Sequence, residues 1–136
     1  MLSKHKDWII YGGAIIIVVV LFLFLLSVNI IGYSVKEKCQ LAQDRYEGDC
    51  VEALIAFLDD GANSYRSRNS AIWALGQLGD SRALPTLRSY YTGYEGGPVT
   101  RLTEGLSQYE LKKAIALAEG GLNITVFFWR FGWVAR

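Results

Sequence analysis

The side chains able to do chemistry are few, and their spacing limits what they can do. The only histidine, His5, lies among the first seven residues, so residues 36–136 hold no imidazole to act as general base or metal ligand. Cys39 and Cys50 are the only cysteines and stand eleven apart, too few for a thiolate cage and outside the CxxC spacing. Three readings of the pair stand: a disulfide stapling two helices, two buried thiols, or a redox pair in which a helix start lowers the Cys50 pKa. A disulfide needs the Cα atoms within ~7 Å. That is easier if the helix carrying Cys39 ends near Asp44 than if it runs unbroken to Tyr46. The glycine-rich stretch Gly93–Gly97 lacks the Gly-Lys-Ser/Thr ending of a phosphate cradle and has no strand before it. It reads as a connector, with Thr100 and Arg101 the residues nearby able to touch a ligand. Asn123-Ile124-Thr125 fits the glycosylation pattern but sits in an apolar tail, where chance explains it. Without Lys4, Lys6 and Asp7, the 14 basic and 13 acidic residues of the chain leave 12 of each in residues 36–136. Such a balance argues against nucleic acid as a partner. The expectation is a protein with no catalytic residue, metal or cofactor, hence not an enzyme.

The elements that position these residues begin with an uncharged run from Trp8 to Val35, in which 22 of 28 residues are hydrophobic. Its centre, Ile9–Ile31, measures ~35 Å as a helix, enough for a ~30 Å hydrocarbon layer. Trp8 and Tyr11 at one end and Tyr33 at the other are suited to the headgroup level as interface anchors. The run is longer than the apolar region of a cleavable signal, and Asn29–Tyr33 makes a poor cleavage site. The expected organisation is a short head (1–8), a transmembrane helix (9–31), a connector (32–36), a helical domain (37–121) and an aromatic tail (122–136). The basic residues flanking the run nearly balance. A short head favours a cytoplasmic N-terminus and an extracytoplasmic domain, and the cysteine pair agrees with an oxidising compartment. Gly12, Gly13 and Ala14 form a small-residue patch without GxxxG spacing.

Behind the run, helix signals recur and strand signals are absent. Asp49-Cys50-Val51-Glu52 is a capping box, after which Val51, Leu54, Ile55 and Leu58 fall on one face. Asp59-Asp60-Gly61 ends that helix. Ser64 caps a second, Tyr65–Leu78, with Ala71, Ala74, Leu75 and Leu78 facing one way and Gly79 as its stop. Asp80 or Ser81 caps a third, Ala83 to about Tyr91, with Pro85 in its first turn and a stripe of Leu84, Leu87 and Tyr91. Ser107–Glu110 is another capping box, opening a helix to about Glu119 along Leu111, Ala114, Ile115 and Ala118. Upstream, Lys36–Tyr46 is the weakest helix, with Leu41 and Ala42 its apolar residues.

Arg68-Asn-Ser-Ala71-Ile-Trp-Ala74-Leu75-Gly76-Gln-Leu78-Gly79-Asp80, followed by Ala83-Leu84-Pro85-Thr-Leu87, resembles a HEAT repeat of the short variety found in phycobilisome-lyase proteins. The preceding helix, Cys50–Leu58, resembles the second helix of an upstream repeat, so the likeness spans about residues 50–91. It implies an all-α chain: one transmembrane helix followed by a small HEAT-like α-solenoid of two to three helix pairs, each supplying only part of a core. It also implies that Arg68 and Asp80 pin neighbouring turns. So few repeats need cover at their ends, from the aromatic tail, the bilayer surface or a partner.

Trp73 projects away from the Leu75 face, so it is either an interface anchor or covered by another element. Tyr90 and Tyr94 pose the same question, and Phe128, Trp129 and Trp133 of the tail join them as candidate partner contacts. The tail can cap the solenoid, sit in the membrane interface or dock into a partner. Together these observations describe a membrane-anchored interaction module. It is expected to be an accessory or assembly subunit whose partners are another membrane protein or complex and the lipid bilayer. The alternatives are a lipid-binding module at the membrane surface and, through the resemblance, a bilin-lyase-like enzyme.

Overall fold

The computed structural model describes residues 2–94, 96 and 105–129. These residues form helices and connecting turns without a strand: α1 (Leu2–Gln43), α2 (Cys50–Asp59), α3 (Tyr65–Leu78), α4 (Leu84–Tyr90), α5 (Gln108–Ala118) and α6 (Val126–Trp129), with a 3₁₀ turn, Ser81–Ala83, ahead of α4. The helix starts follow from local chemistry. The Asp49 side chain accepts from the N–H groups of Val51 and Glu52, and Glu52 reaches back to the Asp49 N–H, completing a capping box. Ser64 caps α3 by accepting from the Ser67 N–H, and Ser107 caps α5 by accepting from the Glu110 N–H. Gly79, at φ +59°, closes α3 in the left-handed conformation that glycine adopts at no steric cost.

The helices stack in alternating directions. Arg68 near the start of α3 reaches Leu58 at the end of α2, and Arg82 beyond α3 reaches Asp49 at the start of α2, so α2 and α3 are antiparallel. Asn69 binds Gly105 and Ser107, while Gly76 meets Ala114 and Gly79 meets Leu117, so α3 and α5 run parallel. The C-terminal end of α4 lies beside Asp59 and Gln108, returning the chain between them. Parallel α3 and α5 joined through a returning α4 is the stacked-pair, HEAT-like arrangement. At the α3–α5 crossing, a Cβ on Gly76 would lie 2.8 Å from the Cα of Ala114. The two backbones approach as closely as they do because both residues are small.

The helix and core limits differ from the expected ones. The connector expected at 32–36 does not exist: α1 runs unbroken through it, because Gly32 is buried and Val35 is fully buried against the helical domain. The head is likewise helical from Leu2. The stripe on the last turns of α1 is not Leu41 but Phe24, Val28, Ile31, Gly32, Val35, Cys39 and Ala42, spaced three and four apart, while Leu41 is exposed. The domain core therefore reaches back to Val28, inside the expected span, and forward to Trp129, inside the expected tail.

Candidate functional site

The disulfide Cys39–Cys50 joins α1 to the start of α2, with Cα atoms 4.9 Å apart. The helical part of α1 stops at Gln43 and turns through Asp44–Arg45, the early ending that brings the two cysteines within reach. Beyond that turn, the Tyr46 hydroxyl donates to Asp60 at 2.6 Å and accepts from the Asn63 amide, while Arg45 donates to Asn63. The Tyr46 bond, more than any other influence, holds the Asp60 carboxyl below the usual carboxylate range, and the same bond raises the Tyr46 phenol. Asp49 is lowered first by its bond from the Glu52 backbone N–H and then by Arg82.

The repeat residues act as ties. Arg68, only 9% exposed, donates from Nε to the Leu58 carbonyl at 2.7 Å and lies over the rings of Tyr90 and Tyr65. Asp80 caps the 3₁₀ turn and holds Arg82 by two carboxylate oxygens. Arg82 in turn reaches Asp49 at 2.7 Å, so the turn after α3 is fixed to the start of α2. The flanking acids raise the already high pKa of Arg82. Asn69, which the sequence reading passed over, is the buried clamp of the α3–α5 pair. Its amide donates to the Gly105 carbonyl at 2.9 Å and its oxygen accepts from the Ser107 N–H at 2.8 Å. An Asn one residue after the repeat arginine was the only signal available.

The structure distributes the candidate partner contacts unequally. Trp73 is half-buried beside α5, near Lys113, Ala114 and Leu117. Tyr90 donates to Asp59 and faces Arg68, and burial followed by that bond raises its pKa. The Tyr94 N–H bonds the Tyr91 hydroxyl, and its ring meets Tyr109 edge-on at 5.5 Å. Both tyrosines are half-buried within the domain. Trp129 is 1% exposed, a core residue and not an available contact, and its Nε1 has no hydrogen-bond partner among the described residues. Trp133, Thr100 and Arg101 lie outside the described residues. Phe128 is exposed on one side and meets Phe24 of α1 edge-on, with centroids 5.3 Å apart. Asn123 of the glycosylation pattern spends its amide on Gln77.

The largest uncovered surface belongs to α1. Trp8, Tyr11 and the run Ile15–Leu23 are exposed, and Tyr33 is exposed further along. The segment Asp7–Gln43 is long and apolar enough to cross a membrane, with a mean hydropathy of 3.2 over its most apolar window. Two of its polar side chains bond within the helix: the Ser27 hydroxyl donates to the Leu23 carbonyl at 2.9 Å and the Asn29 amide to the Leu25 carbonyl at 2.8 Å. A Cβ on Gly12 or Gly13 would meet nothing, so the small-residue patch is open. Among the described residues no group of three or more His, Cys, Asp or Glu side chains converges as a metal site.

Residues 67–92 match the family described as PBS lyase HEAT-like repeat. The match takes in α3, the turn with Arg82 and α4, which is one repeat. It leaves α2 and α5 outside. No curated protein and no solved structure matches the chain.

Proposed function

We propose that this chain, a HEAT-like helical module built onto a long apolar helix, is a membrane-anchored protein-interaction module, an accessory or assembly subunit of a membrane protein complex. One observation carries the reading: a single unbroken helix is bare and apolar from Trp8 to Leu23 and forms part of the domain core from Val28 to Ala42. A bare apolar surface of that length is unfavourable in water and favourable in hydrocarbon. The intrahelical bonds of Ser27 and Asn29 support the same environment, because a polar side chain facing lipid needs a partner within its own helix. The buried face of α1 then fixes the domain at the bilayer surface, where its effective concentration toward other membrane proteins is raised. The disulfide supports an extracytoplasmic domain, since such bonds persist in oxidising compartments. The match to one PBS lyase HEAT-like repeat supports a helical stacking unit and carries no reaction with it.

Extraction of the tagged full chain from its native membrane in mild detergent tests the reading. A stoichiometric membrane-protein companion that stays bound through size-exclusion chromatography supports it. Elution as a lone monomer or homodimer overturns the subunit role. Protection of the domain from protease in inverted, inside-out vesicles, lost when detergent opens them, supports the extracytoplasmic side, and cleavage in the intact inverted vesicles overturns it.

A further inference from the structure

The depth of α6 follows from the position of its contact on α1. A hydrocarbon layer of ~30 Å takes ~20 helical residues at 1.5 Å each. With Trp8 at the headgroup level, an upright span fills the layer from Ile9 to about Val28. Phe24 lies within those residues, about 6 Å inside the far boundary. Phe128 touches Phe24, and Trp129 is buried in the core cluster that contains Val28. α6 therefore sits at the level where hydrocarbon gives way to headgroups, although α1 and α6 are separated by the whole helical domain in sequence.

The segment is built for that level. Residues 120–129 carry no charge. Its polar groups turn toward the protein and one another: the Thr125 hydroxyl donates to Asn123, the Asn123 amide donates to Gln77 of α3, and the N–H groups of Val126 and Phe128 find carbonyls within the turn. Its apolar side chains turn outward, with Leu122 82% exposed, Phe127 67% exposed, and Ile124 and Phe128 more than half exposed. Phe128 joins this exposed set to α1 through its contact with Phe24, next to the bare run that ends at Leu23. With Asn123, Thr125 and the N–H groups of Val126 and Phe128 already bonded within the protein, seating the outward apolar side chains in lipid adds little desolvation cost from these groups.

We propose that Leu122–Trp129 is a second membrane contact, a re-entrant plug docked on α1 with Leu122, Ile124, Phe127 and Phe128 seated in lipid at the boundary between acyl chains and headgroups. The proposal rests on the anchoring reading of α1. It is tested on the full, disulfide-intact chain in phosphatidylcholine vesicles. Nitroxide labels are placed one at a time at Phe127→Cys, Leu122→Cys, Val18→Cys and Ala62→Cys, all exposed positions whose labelling leaves the core untouched, and relaxation by oxygen and by a water-soluble nickel chelate is compared. The expected result is oxygen outweighing nickel most strongly at 18, less strongly but clearly at 127 and 122, and the reverse at 62. Lipid-type accessibility at 18 with water-type accessibility at 127 and 122 overturns the plug and leaves the anchor standing. Shielding from both reagents at 127 and 122 also overturns it, pointing to a covering protein such as a second copy. Water-type accessibility at 18 overturns the anchor and the plug together.

Discussion

From Trp8 to Leu23 the side chains of α1 are bare on nearly every face, whereas from Phe24 to Ala42 one face is closed against α2, α3 and α6. The composition hardly changes across that border, since the uncharged run continues to Val35. What changes is periodicity. The first half repeats large aliphatic residues without a preferred side. The second places small or slender residues, Val28, Gly32, Val35, Cys39 and Ala42, three or four apart, and a stripe of that kind lets other helices approach. Hydropathy alone therefore marks where a helix is apolar, and side-chain size along one face marks where the apolar surface meets protein.

The sharpest way to break the comparison is to place the same charge in each half. Val35→Asp, at a fully buried site, is expected to destabilise the helical domain by more than about 4 kcal/mol and abolish its cooperative melt in detergent. Val18→Asp is expected to leave that melt unchanged and to weaken membrane insertion instead, by ~2.5–3.5 kcal/mol near mid-span, read as the fraction resisting carbonate extraction. Equal losses of domain stability from both variants would erase the distinction between the halves.

Cutting the tie between α1 and the stacked helices is the next largest change. Cys39→Ser with Cys50→Ser, or reduction, is expected to lower domain stability by about 2–4 kcal/mol in a denaturant titration, leaving insertion of the first half intact. Gly76→Val tests the stack away from α1. Its Cβ would come within 3 Å of Ala114, so a loss of about 1–3 kcal/mol is expected in the same titration.

The smallest effects concern the polar ties at the end of the second half. Arg82→Ala is expected to cost less than about 1 kcal/mol, because its ion pairs with Asp49 and Asp80 are solvent-exposed on the arginine side. Acid titration has a defined sign. The folded-state pKa values of Asp49 and Asp60 lie below their unfolded values, so both carboxylates contribute stability above about pH 3.9 that is lost as pH falls through their folded pKa values. The melting temperature should fall below about pH 4, and less steeply in the Asp49→Asn, Asp60→Asn double variant.

Much of the helical domain was legible because local chemistry dictates it. The box at Asp49, the cap at Ser107, the stop at Gly79 and the stripe Ala71, Ala74, Leu75, Leu78 rest on neighbours a few residues apart. The one repeat with a family match is the one whose residues, from Arg68 to Leu87, carried the resemblance. The connector at 32–36 was placed where the expected span ended at Ile31, yet α1 continues through it. Its helical state is imposed by burial of Gly32 and Val35 beneath helices that come later in the chain. Trp73 and Trp129 looked alike as free aromatics, and only the long-range contacts with α5 and α1 separate a half-covered side chain from a core one. Asn69 was illegible for the same reason, since both its partners lie more than thirty residues away.

The continuity of α1 also has a mechanical meaning. From Val28 to Gln43 the helix extends ~23 Å without a flexible joint, and the domain is clamped along its side. On the anchoring reading proposed above, span and domain move as one lever. A change in bilayer thickness that leans the span by about 10° carries the outer end of α1 sideways by about 4 Å. On that reading, lipid composition is translated into the position of a protein surface above the membrane.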